Sequence, residues 1–232
     1  MLFPAVCPGC QTAVTRAGSV CPDCWANLRF IERPYCEVLG IPFSYDLGKG
    51  FLSAQAIAEP PPFARLRAAV IYQELATRLV TALKYGDRTD LVPLMAGWME
   101  RAGAELLADA DVIVPVPLHA RRLWRRKFNQ SAELSRAIAR KSGVMFRPLA
   151  LERIKATQTQ VGLGQRQRQD NVRGAFRVSE QRRSEVEGRR VLLVDDVYTT
   201  GATVASATRA LKRAGASDVD VLVFARVAGG GP

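Results

Sequence analysis

Two groups of residues in this 232-residue chain have the types and spacing to do chemistry. The first is the run Val194-Asp195-Asp196-Val197-Tyr198-Thr199-Thr200-Gly201-Ala202-Thr203. Adjacent carboxylates repel, so a chain places them together where a cation or hydroxyl groups engage them. Thr199, Thr200, Gly201, Ala202 and Thr203 follow within a few residues. At a helix N-terminus their free N–H groups, small hydroxyls and the positive end of the helix dipole would cradle a phosphate. Gly201 lets the backbone approach that anion without a Cβ in the way. Carboxylates for hydroxyls or metal, then a phosphate nest, describe a receptor for a ribose 5-phosphate. The plain alternative is a strand-to-helix turn with threonine caps and solvated aspartates. Walker-type and dinucleotide-binding loops are excluded, because neither of their glycine patterns occurs.

The second group is Cys7, Cys10, Cys21 and Cys24, two Cys-x-x-Cys pairs ten residues apart. That spacing suits a tetrahedral Cys₄ zinc site with every position filled by protein, hence a structural one. Pro8-Gly9 and Pro22-Asp23 supply the tight turns between ligands. Redox-active pairs are the alternative, but neither pair lies at the head of an evident helix. Cys36 is left without a partner, because Leu39 stands where a third pair would be completed.

The elements that must position these groups follow from periodicity. Ala68-Ala-Val-Ile-Tyr72, Asp111-Val-Ile-Val114, Arg190-Val-Leu-Leu-Val194 and Val219 to Phe224 are predicted strands. Leu75, Leu79, Val80 and Leu83 fall at helical spacing, as do Leu91, Leu94, Met95, Trp98 and Ala102. Leu134 and Ile138 mark a third helix from Asn129, and Val204, Ala207, Leu211 and Ala214 a fourth, closed by Gly215. Strands alternating with helices imply an α/β fold, a parallel sheet covered on both faces. The expected division is a zinc module over 1–36, a connector or hood over 37–64 rich in Gly and Pro, and the α/β domain over 65–232. Ligands of such sheets sit beyond the carboxyl ends of the strands, which is where the acidic pair falls.

Charge narrows the reading. The chain carries a net charge of +11, with 33 basic residues, 22 acidic and a single histidine, His119. Thirteen of the bases and only Glu133 and Glu152 among the acids lie between Arg121 and Arg168, so the remainder is neutral. The basic run begins in the turn after the strand at Val114, and such an excess points toward phosphate-bearing partners. Thirteen cations exceed what one small phosphate ligand needs, so a second polyanion such as single-stranded DNA binds nearby or the surplus is solvated. Aromatic residues are sparse in the segment (Trp124, Phe128, Phe146), which argues against an extended stacking platform. A lone histidine is more often structural than catalytic, and His119 is not taken as a base. No signal peptide or membrane span is evident, so a cytoplasmic protein with no membrane insertion is expected.

The run from Val191 to Thr203 resembles the loop of type I phosphoribosyltransferases that binds phosphoribosyl pyrophosphate (PRPP). A narrower resemblance is to the ComF family of competence-associated, phosphoribosyltransferase-like proteins. It rests on Val114-Pro-Val-Pro-Leu-His119, Phe128-Asn-Gln130, Lys84-Tyr85, the cysteine pairs, and Thr157, Gln160, Leu163, Arg168, Asn171 and Gly174-Ala-Phe176. Lys127 stands where the family has Gly before Phe-Asn-Gln.

The resemblance implies a type I phosphoribosyltransferase-like sheet with an N-terminal zinc module. It implies that Asp195 and Asp196 hold the ribose hydroxyls and Thr199 to Thr203 the 5-phosphate. Pyrophosphate, with its Mg²⁺, would meet Pro117, Leu118, Arg121, Arg122, Arg125, Asn129 and Gln130. A closing loop would carry Gln160, Arg166, Arg168 and Asn171 to the donor. A nitrogen acceptor would then take the phosphoribosyl group, though no base-recognition pattern names it. The implied setting is DNA uptake in natural transformation, beside a DNA-translocating ATPase. A non-catalytic, strand-handling or partner-docking module that keeps the loop as a ligand sensor is the competing reading.

Overall fold

A computed structural model describes residues 5–16, 18–46, 48, 50–155 and 172–228, without the side chains of Arg121, Arg122 and Arg125. The α/β expectation holds. Strands β1 (Leu66–Ile71), β2 (Val112–Pro115), β3 (Met145–Phe146), β6 (Arg190–Tyr198) and β7 (Asp218–Arg226) form one sheet in the order β1-β7-β6-β2-β3. Every pairing in it is parallel. A separate antiparallel pair joins β4 (Glu152–Arg153) to β5 (Phe176–Arg177).

Both faces of the sheet are buried, which is why its strands read as near-continuous apolar runs. Along β6, Val191 and Leu193 enter one core layer and Leu192 and Val194 the other. Helices α3 (Glu74–Tyr85), α4 (Val92–Ala102) and α7 (Gln130–Ser142) cover the second layer with the predicted stripes, Leu75, Leu79, Val80 and Leu83 among them. The side chain of Asn129 caps α7 by accepting from the Ser131 N–H, and Gly143 ends the helix at φ 75°. On the opposite face α8 (Ala202–Arg213) buries Val204, Ala207 and Leu211.

Several expectations need correction. β6 continues through Asp195 and Asp196 to Tyr198, so the acidic pair lies within the last turns of pairing rather than after them. β1 begins at Leu66 and ends at Ile71. The loop after β2 contains a basic helix, α6 (Ala120–Arg126), which a short apolar period could not reveal. A further helix, α5 (Ala104–Asp109), precedes β2. Residues 37–64 carry a one-turn helix, α2 (Ala54–Ala58), and put Leu39, Ala56 and Phe63 into the core on the α8 face. Their Gly and Pro content marks bends over a buried surface, not a free tether.

The N-terminal segment packs on the edge of the second layer. Trp25 lies 5.0 Å from Phe30 and 5.8 Å from Trp98, and Trp98 stacks 6.1 Å from Phe224 of β7. Gly9 sits between Leu75 of α3 and Cys24, where an added Cβ would come within 2.8 Å of the Cys24 sulfur. The Arg78 guanidinium donates to the Gly9 carbonyl at 3.1 Å.

Candidate functional site

Parallel strands end at one edge of the sheet, and there β6 delivers Asp195 and Asp196 to a cleft of about 230 Å³. Asp195, Asp196, Thr199, Gly201, Ala202, Thr203, Pro117, Leu118 and Gln130 all line it. Neighbouring residues on a strand point to opposite sides, and the bonding reflects this. Asp195 accepts a hydrogen bond from the Ser131 hydroxyl at 2.8 Å and from the Asp196 N–H at 2.9 Å. Asp196, 8% exposed, pairs instead with the Lys84 ammonium at 2.9 Å.

Those surroundings set the charge. Burial and the neighbouring Asp196 carboxylate push the Asp195 pKa up to about 7, against the Ser131 hydrogen bond and the Lys84 cation, which pull it down. Burial by itself would lower the Lys84 pKa, but the Asp196 and Asp195 carboxylates outweigh it and leave it raised. The pair therefore shares one fixed cation and holds its second negative charge near neutral pH.

The Thr/Gly loop after β6 is held from below. Gly201 adopts φ 77°, and a Cβ there would collide with the Tyr198 ring and hydroxyl. Only glycine allows both the left-handed backbone and that contact. α8 starts immediately after it, with its first N–H groups at the cleft. The loop divides, however. Thr199 and Thr203 line the cleft with the acidic pair, whereas Thr200 lines a different cleft on the α8 side.

On the far wall, Asn129 donates to the Val116 carbonyl at 3.0 Å and so fixes the turn rather than facing the cleft. Gln130 is 1% exposed; its carbonyl accepts from Arg126 at 3.3 Å, and its Nε2 is buried with no partner. An unpaired buried donor on a cleft wall is suited to a ligand oxygen. Lys127 takes φ 62°, the conformation that the family glycine would adopt more easily, so the turn survives the substitution. Arg121, Arg122 and Arg125 lie on α6, and nothing further is described of their side chains. Gln160, Arg166, Arg168 and Asn171 lie outside the described residues.

Six polar residues of the cleft are not among the expected site residues: Tyr72, Lys84, Arg126, Ser131, Arg153 and Tyr198. Lys84-Tyr85 belongs to the family motif, which by itself gives Lys84 no role. Arg126 lies over the Tyr85 ring at 5.0 Å and donates to its hydroxyl at 3.2 Å, which ties α6 to the end of α3. A lysine or arginine placed in the last turn of a helix is unremarkable in sequence, and only the sheet order brings these to the acidic pair.

The sulfur atoms of Cys7, Cys10, Cys21 and Cys24 all lie within 4.8 Å of one another. Zn–S bonds of about 2.3 Å put tetrahedral sulfurs roughly 3.8 Å apart, so the four fit one zinc ion. One expectation here is corrected: Cys21 does head a helix, as the N-cap of the one-turn α1 (Pro22–Ala26). Four converging thiols rather than two separate pairs still favour zinc. Cys36 lies elsewhere, buried, accepting from the Leu39 and Ser53 N–H groups at 3.4 and 3.2 Å.

Fold and site together define a phosphoribosyltransferase-type domain preceded by a zinc ribbon. Two family matches agree: a double zinc ribbon domain over residues 1–56 and a phosphoribosyl transferase domain over residues 136–231. The DNA utilization protein YhgH of Salmonella typhimurium is 32% identical over 229 residues, 95% of this chain and 90% of that protein. Competence protein F of Haemophilus influenzae is 27% identical over 234 residues, with the same coverage of each. A solved allosteric regulatory enzyme of purine biosynthesis matches 57% of this chain and 25% of its own at 26% identity and a TM-score of 0.39. The chain belongs to the family of these DNA utilization and competence proteins, the ComF family that its motifs resemble.

Proposed function

We propose that this protein binds PRPP in the cleft at the end of β6 and transfers its phosphoribosyl group to a nitrogen acceptor, in the service of DNA uptake. The observation that carries the reading is the meeting of the Asp195–Asp196 pair with the Thr199–Thr203 loop across one cleft. The carboxylates suit ribose hydroxyl donors, and the loop with the start of α8 suits the 5-phosphate. Pyrophosphate would lie toward Pro117, Leu118, the Gln130 Nε2 and the cations of α6, with Arg166 and Arg168 closing on it. Mg²⁺ would arrive with the pyrophosphate, and carboxylate oxygens are the ligands it takes. Departure of pyrophosphate leaves positive charge on the anomeric carbon, which the acidic pair would stabilise once Asp195 is ionised. Lys84 holds Asp196 in place through their ion pair.

Titration calorimetry with PRPP and Mg²⁺ tests the site. The double variant Asp195→Asn, Asp196→Asn should lose binding, and unchanged binding would sink the assignment. Pyrophosphate release in the presence of nucleobases, ammonia or glutamine tests transfer. No release with any acceptor leaves the second reading, a non-catalytic sensor that handles single-stranded DNA and docks a translocating ATPase. That reading is favoured by α6, a helix with four arginines and a Trp124 that is 87% exposed. Filter binding of labelled single strands over a salt series should then give a steep slope. A cytoplasmic site of action belongs to the same proposal; no described helix is long and apolar enough to cross a membrane.

A further inference from the structure

A second and larger cleft, about 790 Å³, opens behind the same loop and is lined on that side by Thr200, Gly201 and Ala202. Its size falls in the range of small-ligand pockets. Pro60, Pro61, Pro62 and Phe63 form one apolar wall. Arg173, and Arg209 and Arg213 of α8, line it as well. Arg209 and Arg213 are four residues apart, so they share a face of the helix.

These three arginines enter none of the ion pairs among the described residues. The acids of the same side are already engaged elsewhere: Asp218 pairs with Lys212 at 2.7 Å, Glu185 with Arg182 at 2.9 Å and Glu187 with Arg183 at 3.2 Å. Glu59 is the one acidic residue among those lining the cleft. The neutral balance outside residues 121–168 therefore conceals a concave, locally positive surface, and concave walls concentrate that field. Guanidinium forks match phosphate oxygens in pairs. The proline wall offers a flat apolar face of the kind a heterocyclic base packs on.

We infer that this cleft is a nucleotide site, with phosphates against Arg173, Arg209 and Arg213 and the base against Pro60–Pro62. It shares Tyr198, Gly201 and Ala202 with the smaller cleft but is lined by Thr200 rather than by Thr199 and Thr203. The inference stands whether or not the smaller cleft takes PRPP.

Calorimetry on the full chain with nucleoside mono- and triphosphates tests it, with pyrophosphate and an oligodeoxynucleotide as separate arms. Charge reversal by Arg209→Glu with Arg213→Glu should weaken nucleotide binding at least tenfold while PRPP affinity is kept. The Asp195→Asn, Asp196→Asn variant should do the opposite. Arg173→Glu, on a different element, should reproduce the nucleotide loss, and thermal melts establish that each variant is folded. The inference fails if no nucleotide binds, or if charge reversal leaves binding intact. It fails equally if pyrophosphate or the oligonucleotide binds there and no nucleotide does.

Discussion

At the scale of single residues, the charge state of the acidic pair governs the site. A ribose hydroxyl donates best to an ionised carboxylate, and Asp195 titrates at about 7. PRPP affinity should therefore rise as pH increases through about 7, by up to tenfold per unit below it, in calorimetry between about pH 5.5 and 8.5. The stability linkage runs the other way. Because folding raises this carboxyl above its unfolded value, its contribution is fully present at acid pH and is lost as pH rises through about 7. Lys84 is the lever on both effects. Removing its ammonium (Lys84→Met) should raise the titration midpoint further and weaken binding at neutral pH. An unchanged midpoint would mean that the Lys84–Asp196 pair does not set the charge of the site. The acidic pair itself was legible in the sequence, because adjacent aspartates before a Thr/Gly run form a local pattern. Lys84 and Ser131 were not, because each contributes one ordinary polar residue from a distant helix.

At the scale of elements, two devices hold functional groups in place. The proposed phosphate loop depends on Gly201, whose backbone conformation and contact with Tyr198 both exclude a side chain. Gly201→Ala should cost about 1–2 kcal/mol of stability and at least tenfold in PRPP affinity, measured by thermal melts and calorimetry. The zinc ribbon depends on its metal. Its described residues contribute few buried apolar side chains of their own, but Trp25 packs tilted against Phe30 and edge-on against Trp98 beside the sheet. Chelation, or Cys24→Ser, should release that ring and shift tryptophan emission to the red, with the α/β domain retaining its circular dichroism. Emission that ignores chelation would argue against a metal-organised module. The helices with apolar stripes were legible from their period. The basic α6 was not, since a polar helix held by one arginine on Tyr85 has no stripe to read.

At the scale of the whole molecule, ion pairs stitch the segment before β1 to the sheet. Arg67 is 2% exposed and reaches Glu105 of α5, the Glu37 carboxylate at 3.0 Å and the Glu37 carbonyl at 2.8 Å, with its guanidinium 4.5 Å from the centre of the Tyr35 ring. Arg33 covers Tyr35 at 4.7 Å and shares the same two acids. Arg67→Met should cost roughly 1–3 kcal/mol in denaturant unfolding, because two partly buried carboxylates lose one of their two cations and the Glu37 carbonyl loses its donor. Arg65 and Arg190 likewise both serve the buried Asp220. These networks consume acidic residues on one side of the molecule and leave arginines uncompensated on another. Net charge counted along the chain therefore misplaces the electrostatic surface.

The sequence by itself determined the α/β class, the cluster of four cysteines that fit zinc, and the acidic pair followed by a Thr/Gly loop. All of these are encoded by spacing within a few tens of residues, where chain geometry leaves little choice. Tertiary structure alone decided which cation meets Asp196, which threonine turns away from the loop, and where free positive charge collects. Those outcomes depend on the order β1-β7-β6-β2-β3, which sets distant helix ends side by side. Strand order follows from the packing of whole layers, and no local run of residues carries it.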